Sequence, residues 1–181
     1  EYGWSVSLYD DWLCVGSKSH ISNYGAAYIY QRNEGGTNAW GQTQKIIQSD
    51  PQYNDQFGFS VSIYENKLLI GNHGNIVWGK NGNINLYELD NGTTWSEVAN
   101  FTGSNYGPIG TSCSVTENYA VTVIENYAIY LYNITSVPSG PQITLERGST
   151  YQELGATSDG GETVTIAITK NVNGEIETVS S

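Results

Sequence analysis

The sequence predicts an all-β fold made of repeated four-stranded antiparallel sheets, on three observations. The composition favours strands and tight turns, with 14 Tyr, 5 Trp and 21 Gly in 181 residues. An eight-residue pattern recurs: Tyr2-Gly3-Trp4-Ser5-Val6-Ser7-Leu8-Tyr9 returns as Phe57-Gly58-Phe59-Ser60-Val61-Ser62-Ile63-Tyr64. A shorter third copy runs from Ile109-Gly110 to Val115, so Gly3, Gly58 and Gly110 recur at intervals of 55 and 52 residues.

Each element of the unit follows from its residues. The first strand alternates serine with apolar side chains, as expected where sheets crowd together. An acidic or Asn turn comes next: Asp10-Asp11, Glu65-Asn66 and Glu117-Asn118. A continuous apolar run follows (Trp12 to Val15, Leu68 to Ile70, Tyr119 to Val123), as expected of a strand buried on both faces. The third strand is aromatic, at Tyr28-Ile29-Tyr30, Asn85-Leu86-Tyr87 and Tyr130-Leu131-Tyr132. The fourth opens on tryptophan, Trp40 and Trp95, again 55 residues apart. One such sheet cannot hide both of its faces, whereas copies stacked around an axis can, so the units read as β-propeller blades. Their expected bounds are about 1–55, 56–108 and 109–137, the third lacking a fourth strand. Fewer than three blades leave an incomplete ring, since closure takes roughly four to eight. Glu1 already lies in a strand-like pattern and Met is absent, which reads as a piece of a longer protein.

Phe57-Gly58 with Ser60-Val61-Ser62 and Leu69-Ile70-Gly71 resembles the FG-GAP repeat of integrin α-subunit propellers and microbial surface proteins. Tyr2-Gly3, Val15-Gly16 and Gly25-Ala26-Ala27-Tyr28 extend the resemblance to residues 1 to about 136. Integrin repeats often carry a calcium loop. No D-x-D-x-D-G occurs here, so no cofactor is expected and calcium is left without a motif. Pro138-Ser139-Gly140-Pro141 reads as a linker. Beyond it Ile143, Leu145, Gly148, Tyr151, Gly155-Ala156 and Asp159 resemble the opening of a bacterial Ig-like domain, and residues 142–181 are too few for a whole sandwich. Asp159-Gly160-Gly161 reads as a turn, with a calcium ligand as the competing reading.

A net charge of −11 argues against nucleic acid as a partner, and no apolar stretch is long enough to span a membrane as a helix. Cys14 and Cys113 read as small core residues, a disulfide being the lesser alternative. The sequons at Asn91, Asn100 and Asn133 are candidate glycosylation sites in a eukaryotic secretory route. No catalytic residue is assigned. Asp10, Asp11 and Glu65 recur at one position of the unit, which marks turns rather than an acid–base pair. His20 and His73 read as solvated loop residues without a third ligand for zinc. Tyr24, Tyr53, Trp78 and Tyr106 are loop aromatics that pack locally or stack on sugars.

The expected function is therefore that of a non-enzymatic, extracellular or surface-exposed structural or adhesion module. Its expected partners are other protein chains or copies of itself. A carbohydrate-binding, lectin-like propeller with glycan partners is the alternative.

Overall fold

The computed structural model describes residues 2–74, 82–102, 109–124, 128–135, 143–146, 168–172 and 175–179. Three four-stranded antiparallel sheets follow one another along the chain, each formed by consecutive strands in sequence order. The first comprises β1 (Ser5–Tyr9), β2 (Trp12–Ser17), β3 (Ala26–Arg32) and β4 (Trp40–Ile46), with a single helical turn α1 (His20–Asn23) between β2 and β3. The second comprises β5 (Phe57–Tyr64), β6 (Lys67–Asn72), β7 (Asn83–Asp90) and β8 (Thr94–Thr102). The third comprises β9 (Cys113–Val115), β10 (Tyr119–Ile124), β11 (Ala128–Asn133) and β12 (Ile143–Glu146). A separate hairpin pairs β13 (Ile168–Val172) with β14 (Glu175–Val179).

The repeat extends to details of backbone geometry. Tyr9 faces Trp12 and Tyr64 faces Lys67 across two-residue turns, whose first residues, Asp10 and Glu65, take left-handed φ angles of 49° and 50°. The carboxylates that recur in sequence are thus turn residues. The pairing of β3 with β4 shifts register between Ile29 and Tyr30, and that of β7 with β8 shifts at the equivalent Leu86 and Tyr87. The same bulge is built twice.

Packing between sheets is apolar at both junctions. Trp12, Cys14, Ile29 and Ile46 of the first sheet meet Val61, Ile63, Leu68, Ile70 and Trp95 of the second. On its opposite face the second sheet offers Leu69, Ile84, Leu86 and Phe101 to Val115, Ala120, Tyr130 and Tyr132 of the third. Leu68, Leu69 and Ile70 are all fully buried, so β6 has a covered side chain on each face, which explains its continuous apolar run.

Serines of the first strands stitch the junctions together in matching pairs. Ser5 Oγ donates to Gly58 O at 2.9 Å, and Ser60 Oγ donates to Gly110 O at 2.8 Å. Ser7 Oγ accepts from Ile63 N at 3.0 Å, and Ser62 Oγ accepts from Val115 N at 3.1 Å. This approach requires glycine: a Cβ on Gly16 would lie 2.1 Å from Gly58 O, and one on Gly71 would lie 2.4 Å from Gly110 O. Farther out, the Gln44 side chain accepts from Trp95 N and donates to Trp95 O, both at 2.9 Å.

Two expectations need correction. The third unit does not stop at residue 137 without a fourth strand, because Leu131, Tyr130, Ile129 and Ala128 pair with Ile143, Thr144, Leu145 and Glu146. That strand lacks the tryptophan that opens β4 and β8, and residues 143–146 therefore join the third sheet rather than an Ig-like unit. The remainder of the expected Ig-like segment, including Asp159, and the 138–141 linker lie largely or wholly outside the described residues. Only the β13–β14 hairpin is described there.

Candidate functional site

Two surfaces stand out: a bare apolar sheet face and a polar pocket. On β1, Val6 and Leu8 point to one side, and their partners Val15 and Leu13 share that face. Val6 and Leu8 are 65% and 62% exposed, whereas Val61 and Ile63, at the same places in the second sheet, are 8% and 5% exposed. The difference has one cause. The first sheet covers Val61 and Ile63, and no described residue performs that service for Val6 and Leu8. Trp40 follows suit, since it is exposed while its counterpart Trp95 is buried edge-on against Trp12 at 5.5 Å. Tyr2 and Trp4 extend the exposed surface, with Lys18 Nζ 3.2 Å from the Trp4 ring centroid. At the other end of the stack, the outward face of the third sheet carries Tyr119, Val121, Ile129 and Leu131, of which Tyr119 and Ile129 are exposed.

The polar pocket measures about 350 Å³ and lies where the β4–β5 connection meets the ends of β6, β7 and β8. Gln48, Asp50, Gln52, Asp55, Asn72, Asn83 and Asn100 line it with Ser49. Asp55 is buried and accepts from Gln52 N at 2.7 Å, while Asn72 donates to Gln48 Oε1 and accepts from Asn83 N, both at 2.9 Å. The side-chain oxygen of Asn83 is buried without a hydrogen-bond partner. The lining contains no aromatic ring on which a sugar could stack.

The titratable groups do not converge. Among the described residues no group of three His, Cys, Asp or Glu side chains is placed to hold a metal ion. Both histidines are partly exposed and have side-chain neighbours. His20 is half-buried, with Nδ1 3.2 Å from Tyr28 Oη and Nε2 2.7 Å from Lys45 Nζ. Burial and the adjacent Lys45 hold its pKa below the ordinary value. His73, also half-buried, stacks on Phe59 at 5.1 Å. Asp11 pairs with Arg32 instead of with a second carboxylate. Both cysteines are free thiols. Burial pushes Cys14 well up, and pushes Cys113 to about 11 although Ser60 Oγ lies 3.2 Å from its Sγ.

The sequon residues occupy three settings. Asn91 is exposed in the β7–β8 turn at φ 50°, and Asn100 is exposed on β8 beside the polar pocket. Asn133 is half-buried at the end of β11, and its side-chain oxygen accepts from the backbone and hydroxyl of Thr135. Of the loop aromatics, Tyr53 is 58% exposed and Tyr24 half-buried; Trp78 and Tyr106 lie outside the described residues. The bare face escaped the sequence reading because Val6 and Leu8 match the alternation of the buried Val61 and Ile63. The pocket escaped it because its amides come from four separate segments.

Comparison with known proteins places an FG-GAP repeat at residues 40–84, from Trp40 of β4 through Phe57-Gly58 to Ile84 of β7. No match to a curated protein is found. Among solved structures the chain is similar in fold to the crystal structure of the computationally designed Ika4 protein. The two share 11% identity at a TM-score of 0.50, over 99% of this chain and 91% of that one.

Proposed function

We propose that the three sheets are blades of a β-propeller and that the chain is an extracellular structural or adhesion module acting through protein–protein contacts. One observation carries this reading: the same sheet-to-sheet junction is built twice, and the apolar face that would form a third is left bare on the first sheet. A surface of that kind marks an interaction site. FG-GAP repeats commonly occur in extracellular and adhesion proteins, which supports the same location and role. Catalysis, a cofactor and nucleic acid have no part in this reading. The recurring Asp10 and Glu65 are turn residues, and a net charge of −11 repels a phosphate backbone.

Labelling of intact source cells or particles with a membrane-impermeant amine reagent tests the location and role. Recovery of labelled chain in complexes with other surface proteins is the expected result; labelling only after lysis would refute it. A lectin-like role is the second reading, favoured by the exposed Tyr53 in the connection that also lines the polar pocket. A glycan array that binds the chain but not its Tyr53→Ala variant would establish that role.

A further inference from the structure

From the packing of the first two sheets we infer that Tyr9 and Tyr64 are an oxidative modification site, where their rings couple through a carbon–carbon bond into a dityrosine cross-link between consecutive repeats. The inference goes beyond the adhesion reading and needs only the junction between β1 and β5.

The two tyrosines hold the same place in successive repeats, 55 residues apart, and each closes its first strand. Tyr9 shares the face of β1 that carries Ser5 and Ser7, so it turns toward the second sheet. Ser7 Oγ accepts from Ile63 N, immediately before Tyr64, which fixes the register of the two strands where the rings meet. The ring centroids lie 5.0 Å apart at an interplanar angle of 53°, the shortest separation of two tyrosine rings among the described residues. Both side chains are half-buried against the cores, packed enough to stay together and open enough to lose an electron to an oxidant in solution. The usual sulfur sinks for oxidising equivalents are missing or closed. Met is absent, and burial keeps the Cys14 and Cys113 thiols protonated.

The step balances with hydrogen peroxide as the oxidant, activated by a haem peroxidase. Each phenol gives up one electron and its hydroxyl proton. The Glu65 carboxylate, whose charge acts on Tyr64, takes the proton from that phenol, and water takes the one from Tyr9. The two phenoxyl radicals join through one ring carbon ortho to each oxygen. The hydrogens on those carbons leave as protons while both oxygens regain theirs. Two tyrosines and one hydrogen peroxide thus give one dityrosine and two waters. Rings already in contact couple at high effective concentration, whereas radicals on separate molecules must first meet by diffusion.

Treating the dilute full chain with a haem peroxidase and hydrogen peroxide tests this. The expected product is a monomer lighter by two hydrogen atoms that shows dityrosine fluorescence and yields, after proteolysis, one linked peptide pair containing Tyr9 and Tyr64. Tyr9→Phe and Tyr64→Phe keep the rings and their packing, and each is expected to lower the yield of that product at least tenfold, whereas Tyr2→Phe leaves it unchanged. The link closes a loop of 55 residues, so the urea midpoint of the coupled chain should rise by about 1–2 M. A cross-link that maps to Tyr2 and Tyr28, whose rings lie 5.3 Å apart, overturns the inference. So do cross-links found only between chains, an undiminished yield in either single variant, or a coupled chain no more resistant to urea than the open one.

Discussion

Ile63 and Leu8 occupy the same place in successive repeats, are isomeric side chains of equal carbon count and differ in what covers them, so truncating each weighs the junction between sheets directly. Ile63 is 5% exposed within the core between the first and second sheets. Its truncation to alanine removes the transfer energy of three buried carbons and leaves a cavity between two sheets that cannot collapse freely, about 3–4 kcal/mol. Leu8 is 62% exposed, so it retains little more than a third of its burial and Leu8→Ala costs about 1 kcal/mol in the monomer. With a urea slope of about 2 kcal/mol/M, the midpoints fall by roughly 1.5–2 M for Ile63→Ala and about 0.5 M for Leu8→Ala. Urea titrations followed by tryptophan fluorescence, at concentrations where the chain is monomeric, read the difference. Equal losses at the two positions would refute the reasoning, since they would mean the face bearing Leu8 is covered within the same chain.

Three further outcomes follow from single groups. Tyr132 Oη is buried without a hydrogen-bond partner, so Tyr132→Phe is expected to be neutral or to stabilise by up to about 1 kcal/mol; a loss of more than 1 kcal/mol in a urea melt would reveal a polar partner. Ser7→Ala leaves the Ile63 amide without its acceptor between the sheets, at a cost of about 1–2 kcal/mol, and faster exchange at Ile63 than at Val115 in the same sample is the signature. Burial raises the pKa of Tyr87 and Tyr132, and the neighbouring carboxylate of Glu97 raises Tyr87 further. The folded state therefore holds these protons more tightly than the unfolded chain, and stability present below pH about 10 declines as the pH rises above it. Guanidinium melts at pH 8, 10 and 11 should give falling midpoints, and a flat profile would contradict the burial of both phenols.

Much of the fold was legible because repetition supplies its own control. Gly3, Gly58 and Gly110 align three first strands, and β1, β5 and β9 form at those three places in the same order. The turn role of Asp10 and Glu65 was readable for the same reason, since a side chain that recurs at one position of every unit answers a backbone need. The fourth strand of the third sheet was not readable. Ile143-Thr144-Leu145-Glu146 carries no tryptophan and follows two prolines, so its local signal pointed to a new unit while its pairing with β11 decided otherwise. The neighbours of the histidines were not readable because a loop position says nothing about lateral contacts: Lys45 reaches His20 from β4, and Phe59 reaches His73 from β5. The polar pocket was invisible for a related reason, since Asp55, Asn72, Asn83 and Asn100 become neighbours only after the sheets have formed.

The clasp that Gln44 places on Trp95 has a consequence for how the protein survives at high concentration. β8 ends its sheet, and an end strand with unsatisfied N–H and C=O groups is a template on which any passing extended chain can pair. By answering both groups at Trp95, a side-chain amide occupies the template with a partner too short to propagate. Loss of that amide would leave both Trp95 groups open to pairing with an extended chain.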